Sequence, residues 1–295
     1  MLELKLDRVS RHYKQKIAVD RLEFTFGKGI YGLLGANGAG KTTLLRMMVG
    51  VLKPTSGEIL CDGQEIGKMA GEYRRKLGYL PQDLGYYPNF TVWRYLEYLA
   101  ELKAVPPELA EERIEKLLQF TGLAKSGKEK IKTLSGGMIR RMGIAQSLLN
   151  DPEILILDEP TSGLDPRERI RFRNMISALG RDRMVLLSSH IVSDIEYIAD
   201  EILIMKGGKI TESGNLQKIL KTVEGNVWEC VKEPEQAELL NQQFTVSNLK
   251  NTEDGKVVLR IVSDTQPVEG AVRIPPNLED VYLYGTREKS FGPRV

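Results

Sequence analysis

Cysteine is scarce here, with only Cys61 and Cys230 in 295 residues. So few excludes a disulfide framework and points to reduced thiols. Long apolar runs are missing as well. No uncharged stretch approaches the ~20 residues that span a bilayer, so a membrane role has to come from a partner. An excess of one charge is also lacking: 42 basic residues face 40 acidic ones, for a net charge of +2. That balance, with a sequence pI of about 8.3, argues for no nucleic-acid partner. A secretion signal is not visible, because Met1-Leu2-Glu3-Leu4 runs straight into an alternating strand. The expected setting is cytosolic. At this length the chain is long for one core, so one large domain and a smaller one are expected.

What is present begins with a glycine loop. Ile30-Tyr31-Gly32-Leu33-Leu34 is a short apolar run that suits a buried strand. Gly35-Ala36-Asn37-Gly38-Ala39-Gly40-Lys41-Thr42 follows, and Thr42 to Met48 reads as a helix starting at Lys41 or Thr42. Gly35, Gly38 and Gly40 let the backbone bend so that successive N–H groups face phosphate oxygens, and the helix N-terminus adds partial positive charge. In such a loop Lys41 reaches the β- and γ-phosphates, and the Thr42 hydroxyl ligates Mg²⁺.

Ile154 to Leu157 is a second apolar strand, and it ends in Asp158-Glu159. Two carboxylates at the end of a buried strand are costly unless they meet a metal or a proton. Asp158 is the expected Mg²⁺ ligand and Glu159 the group that polarises the attacking water. Taken alone, the pair also fits a solvated strand end before the Pro160 turn. A third signal is Leu134-Ser135-Gly136-Gly137-Met138. Thr133 or Ser135 can cap a helix running through Ile139, Arg140, Arg141, Ile144 and Leu148. The two glycines expose N–H groups at that helix start, a second anion cradle.

In their order with Tyr13, Gln82, Ser162-Gly163-Leu164-Asp165 and His190, these segments resemble the ATP-binding subunit of an ABC transporter over roughly residues 1 to 222. The resemblance implies a P-loop NTPase (ABC ATPase) domain of α/β class, with an antiparallel β subdomain and a helical insert. It implies ATP and Mg²⁺ as cofactors. It assigns Glu159, His190 and Gln82 to catalysis, and Thr42, Gln82 and Asp158 to the metal. Tyr13 would stack on adenine, while Gly35, Asn37, Gly38, Ala39, Gly40, Lys41, Thr42 and Thr43 would bind the phosphates. It also resolves why one chain carries two cradles. Ser135, Gly136 and Gly137 of one subunit cover the γ-phosphate held by another, in a homodimer or heterodimer. Ser162 to Asp165 would face the partner's site. Met138 stands where many relatives have Gln, which removes a polar side chain and leaves the backbone cradle intact.

The organisation follows. Residues 1 to 82 hold the first strands and the loop. Residues 83 to 150 are helix-rich, with helices expected over Val92–Leu102, Pro107–Phe120 and after the Ser-Gly-Gly run. From 151 to 212 strand and helix alternate, with a helix through Ile195 and Ile198 and a Gly207-Gly208 hairpin. The expected core is a mostly parallel sheet flanked by helices. Residues 223 to 295 read as a small α+β appendage, with strands at Val227–Val231 and Lys256–Val262 and a helix from Pro234 to Gln243. Leu278 to Tyr284, Tyr87 to Val92 and Met138 resemble the exporter-type ABC-2 group, so export through a separate membrane-spanning subunit is favoured over import. Tyr86, Tyr87, Phe90 and Trp93 would line a groove for a short helix of that subunit, placing the chain on the inner face of the membrane. The same aromatics also suit plain packing of the helical insert. Two other classes compete: a soluble ATPase of the same superfamily acting on a macromolecular complex, and a P-loop kinase. The first usually carries two cassettes or a long coiled coil, and the second does not explain Ser135-Gly136-Gly137 or His190.

Overall fold

A computed structural model of the chain describes residues 2–69 and 71–286. Two compact units divide at Ile210/Thr211, whereas the sequence places the change near residue 222. The difference has a local cause: the short helix Leu216–Lys221 packs against the last helix, Leu278–Thr286, and so joins the second unit.

The first unit opens with β1 (Leu4–Tyr13), β2 (Lys16–Phe26) and β3 (Gly29–Leu34), then α1 (Lys41–Met48). Next come β4 (Ser56–Cys61), β5 (Gln64–Glu65), α2 (Ile66–Met69), α3 (Gly71–Lys76) and β6 (Leu77–Leu80). The insert contributes α4 (Val92–Leu102), α5 (Pro107–Phe120) and α6 (Gly136–Leu148). It is followed by β7 (Ile154–Leu157), α7 (Pro166–Leu179), β8 (Met184–Ser189), α8 (Val192–Glu196) and β9 (Glu201–Lys206), and β10 (Lys209–Gly214) runs across the division.

An antiparallel sheet runs β2-β1-β4-β5, and a six-stranded sheet runs β10-β9-β3-β8-β7-β6. Strands β7 and β8 are buried along their whole length, which fits continuous apolar runs in a parallel sheet covered on both faces. Register fixes the site. Leu34 of β3 pairs with Ser189 of β8, Leu157 of β7 with Leu187 of β8, and Leu80 of β6 with Leu157. Four parallel strands therefore end together. The residues that follow them, from Gly35, Gln82, Asp158 and His190 onward, emerge along one edge, where open α/β sheets bind their ligands.

The helical insert has a core of its own, including Val92, Tyr95, Leu96, Ile114, Leu118, Met142 and Ala145. Val92, Tyr95, Leu96 and Ala100 fall at helical spacing on the buried face of α4. Thr91 caps that helix by accepting from Arg94 N. Helix α8 stops at Glu196, short of the expected Ile198. Ile198 N and Ala199 N both bond Ile195 O instead, so the chain tightens into a turn that keeps Ile198 at the core.

The second unit holds α9 (Leu216–Lys221), β11 (Val227–Lys232), α10 (Pro234–Gln243), β12 (Thr245–Asn251), β13 (Val257–Val262), β14 (Val272–Arg273) and α11 (Leu278–Thr286). Its sheet runs β12-β13-β11-β14, and Trp228, Cys230, Ala237, Leu240, Leu259 and Ile261 form the core. Asp280, fully buried, accepts from Arg260 Nε at 3.0 Å, Ser247 Oγ at 2.7 Å and Asn277 N at 2.8 Å. Removing one partner of a buried ion pair costs about 3–5 kcal/mol. Asp280→Ala should therefore lower the unfolding free energy of this unit by about 3 kcal/mol, seen as a lower urea midpoint. With Trp93→Phe leaving Trp228 as the sole indole, urea unfolding followed by its fluorescence reads that unit alone. An unchanged midpoint would show that the Arg260–Asp280 cluster is dispensable.

Candidate functional site

A cavity of about 400 Å³ lies at the aligned strand ends, lined by Tyr13, Lys16, Ala18, Ala36, Asn37, Gly38, Gly40, Lys41, Thr42, Thr43, Gln82 and Glu159. Helix α1 begins there at Gly40, whose φ of 111° is open to glycine; an added Cβ would stand 2.2 Å from Ala18 O. No side chain caps α1 and no acidic residue sits in its first turn. Its N-terminal N–H groups and dipole thus face the cavity without competition.

Lys41 is buried and its Nζ donates to Gly35 O at 2.6 Å. The same amine lies 3.2 Å from Glu159 Oε1. Glu159 in turn holds His190, with Oε2 2.7 Å from Nδ1. Glu159 has a φ of 47°, a left-handed conformation that costs a non-glycine residue about 1–2 kcal/mol. Its backbone N–H donates to Ser188 Oγ at 2.9 Å, which pins the turn. Strain of this kind concentrates where a side chain must be aimed.

Asp158 is fully buried, and its Oδ1 accepts from Ser188 Oγ at 2.7 Å and Thr42 Oγ1 at 3.2 Å. Burial pushes its carboxyl above the usual range. Hydrogen bonds from Ser188 and Thr42 pull it back, and the neighbouring Glu159 charge pushes it up again. Its Oδ2 has no partner, an expensive position for a buried carboxylate oxygen. That orphaned oxygen beside the Thr42 hydroxyl fits a Mg²⁺ ion. Among the described residues no group of three or more His, Cys, Asp and Glu could hold a metal. A Mg²⁺ ion, which takes one or two carboxylates and fills the rest with phosphate and water, needs no such group.

The sequence-predicted residues divide cleanly. Tyr13, Asn37, Gly38, Gly40, Lys41, Thr42, Thr43, Gln82 and Glu159 share the cavity lining. Gly35 joins through its carbonyl, Asp158 through Thr42, and His190 through Glu159, while Ala39 packs into the core. Tyr13 is 43% exposed, with the Arg11 guanidinium 4.9 Å from its ring centroid. Ser135, Gly136 and Gly137 are not among the lining residues. Ser135, rather than Thr133, caps α6 by accepting from Met138 N at 3.2 Å. Asp165 caps α7 by accepting from Glu168 N.

Sequence reasoning missed Ser188, which touches both Asp158 and Glu159. Its only signal is a serine pair interrupting an apolar run just before His190. Lys16 and Ala18 were also missed, since a lining role for them follows only from how β2 passes the loop.

The family model described as ABC transporter matches residues 19–162. The Nod factor export ATP-binding protein I of Burkholderia lata is 32% identical over 287 residues, covering 93% of this chain and 94% of that protein. An uncharacterized ABC transporter ATP-binding protein of Bacillus subtilis is 38% identical over 229 residues, covering 76% and 75%. Among solved structures, the ATP binding subunit of an ABC transporter superposes with a TM-score of 0.68 at 26% identity, covering 74% of this chain and 92% of that one. A dimeric bacterial ABC transporter cassette, at 24% identity and a TM-score of 0.66, has the same fold over 72% of this chain and 98% of its own.

Proposed function

The chain belongs to the ABC transporter ATP-binding proteins, and from that premise we propose that it is the motor of an exporter. It binds and hydrolyses ATP for a transporter. The finer reading is that two copies, or this chain and a second ATP-binding subunit, close around two ATP molecules. They then drive export through a separate membrane-spanning subunit at the inner face of the membrane. The export direction is supported by the near full-length similarity to Nod factor export proteins.

One observation carries the catalytic reading: Lys41, Glu159 and His190 form a chain of contacts at the strand ends, beside an Asp158 oxygen with no partner. A γ-phosphate entering the loop competes with Glu159 for the Lys41 amine. Once that amine turns to phosphate, Glu159 Oε1 is free to take a proton from the attacking water. His190 keeps the carboxylate oriented through Oε2. Asp158 and Thr42, with Gln82, would hold Mg²⁺, which supplies neutralisation of phosphate charge. Tyr13 offers its ring to adenine. Ser135 to Gly137, lying outside the cavity lining, suit a γ-phosphate bound by the other subunit.

The membrane partnership is supported by aromatics at the start of the insert. Tyr87 is 50% exposed, and its ring centroid lies 4.9 Å from Phe90 and 5.7 Å from Tyr98. Phe90 and Trp93 also pack against the insert's core, so lining and packing coexist. Among the described residues no helix is long and apolar enough to cross a membrane, which leaves that task to a partner. Changing Tyr87 and Phe90 to Ser should weaken assembly with the membrane subunit by about 2 kcal/mol, roughly thirtyfold. Nucleotide affinity, read by equilibrium titration, should stay put. Collapse of nucleotide affinity would mark both rings as core and place docking elsewhere.

A further inference from the structure

The stretch 125–132, Lys-Ser-Gly-Lys-Glu-Lys-Ile-Lys, carries four lysines and one glutamate, a local charge of +3 in a chain whose net charge is +2. Lys125, Lys128, Lys130 and Lys132 are all exposed, and Ile131 between them is buried. Among the described residues, none of the four amines is in an ion pair. The nearest carboxylate in sequence, Glu129, is exposed too. A run of lysines is commonly just a solvated face, and these lysines differ in being tied to something else.

The backbone ties them to the aromatic segment. Trp93 N donates to Gly127 O, Val92 N to Glu129 O, Ile131 N to Phe90 O and Lys132 N to Pro88 O. Thr91 and Lys130 form an antiparallel bridge. The lysine stretch is therefore fixed beside Tyr87 and Phe90. Residues 85–94 add one charge, Arg94, whose guanidinium lies 4.5 Å from the Phe90 ring centroid. The exposed ring of Tyr87 and the half-buried ring of Phe90 thus belong to a segment held by its backbone beside four lysines without ion-pair partners, with Glu129 as the only acid in the two segments.

We infer that this surface receives an acidic cytoplasmic segment of the membrane-spanning subunit, with apolar residues on Tyr87 and Phe90 and carboxylates facing Lys128, Lys130 and Lys132. The inference rests on the docking reading above and adds the chemistry of the partner. Charge complementarity at such a rim sets the encounter rate and its salt dependence, whereas buried rings set the lifetime. The two contributions are separable.

The test uses the full-length protein and inverted native membrane vesicles freed of the endogenous copy, with bound protein read by sedimentation. Wild-type binding should fall as salt rises. The variant with Lys128, Lys130 and Lys132 all changed to Glu should bind about tenfold more weakly, and its binding should rise rather than fall with salt, because like charges then face each other. Its ATP affinity should match wild type, since none of the three residues lines the nucleotide cavity. Protease-treated vesicles should bind neither protein. If charge reversal leaves binding and its salt dependence unchanged while Tyr87→Ser with Phe90→Ser abolishes it, the acidic partner is wrong and the docking surface stands. If neither variant alters binding, the docking surface itself is wrong. Equal binding to vesicles made only of the extracted lipids would assign the lysines to anionic lipid and overturn the inference.

Discussion

Glu159→Gln should leave ATP bound and cut its hydrolysis by about 10²–10⁴-fold, the usual contribution of a positioned general base. The amide keeps the size of the carboxylate and can still face His190 Nδ1, now 2.7 Å from Oε2. It cannot take a proton from water. Nor can it hold the Lys41 amine as an ion pair, as the carboxylate does across 3.2 Å. That amine is then left for phosphate, so affinity for ATP should hold or rise. The turn at residue 159 carries the same left-handed cost with either side chain, which makes a folding defect a poor explanation for lost turnover. Trapped ATP should also hold two subunits together, seen as an ATP-dependent doubling of mass in light scattering. A variant that stays monomeric with its nucleotide sites full would count against closure around ATP.

Asp158 sets a second condition on the same site. Burial raises its carboxyl above the ordinary range, so its charged form is the disfavoured one in the folded chain. The group therefore protonates at a higher pH than an exposed aspartate, and protonation removes the charge that draws a divalent cation. Mg²⁺ dependence should steepen as pH falls toward the acid side, before exposed carboxylates titrate. Ser188 and Thr42 oppose that shift by donating to Oδ1.

Much of this was legible in the sequence because the chemistry sits at strand ends and strand ends are punctuated. Leu34-Gly35, Leu157-Asp158 and Ser189-His190 are places where an apolar run stops at a residue of another kind. The helices at Val92–Leu102, Pro107–Phe120 and Pro234–Gln243 were readable from caps, prolines and spacing. β12 was not. Thr-Val-Ser-Asn-Leu-Lys-Asn has two apolar residues in seven, and its pairing with β13 includes a register shift between Val246 and Asn248. Only the partner strand makes it a strand. The contact between Lys41 and Glu159 joins residues 118 positions apart in the chain and depends on the registers of β3, β7 and β8. Ser188 was hidden for the same reason. Its role is to stand across from two residues just past the end of the neighbouring strand, Asp158 and Glu159, and no local pattern encodes that.

The head-to-tail reading makes the strongest demand, because it gives Gly136 no role in its own subunit's site. An added Cβ at Gly136 meets nothing within 4 Å. A carboxylate in the first turn of α6 also suits the helix dipole. Gly136→Asp should therefore fold and keep its own phosphate loop, yet set a negative charge against the γ-phosphate of the facing subunit and stop hydrolysis. Gly137 is the poorer choice, since a Cβ there would stand 3.0 Å from Glu168. Lys41→Ala should also be inactive, having lost the cation of the loop. Mixing the two inactive proteins then gives unequal sites. One site combines the Lys41→Ala loop with the Gly136→Asp cradle and is doubly damaged. The other combines an intact Lys41, from the Gly136→Asp subunit, with an intact Ser135-Gly136-Gly137 from its partner. ATPase activity should reappear on mixing, to at most about half of wild type if each site fires alone, and light scattering should show a mixed dimer with ATP. If both sites must fire together, activity stays low while the ATP-dependent dimer still forms. A covalently linked mixed dimer that binds ATP at one site and closes no interface would mean that Ser135 to Gly137 act within their own chain, and the head-to-tail reading would fall.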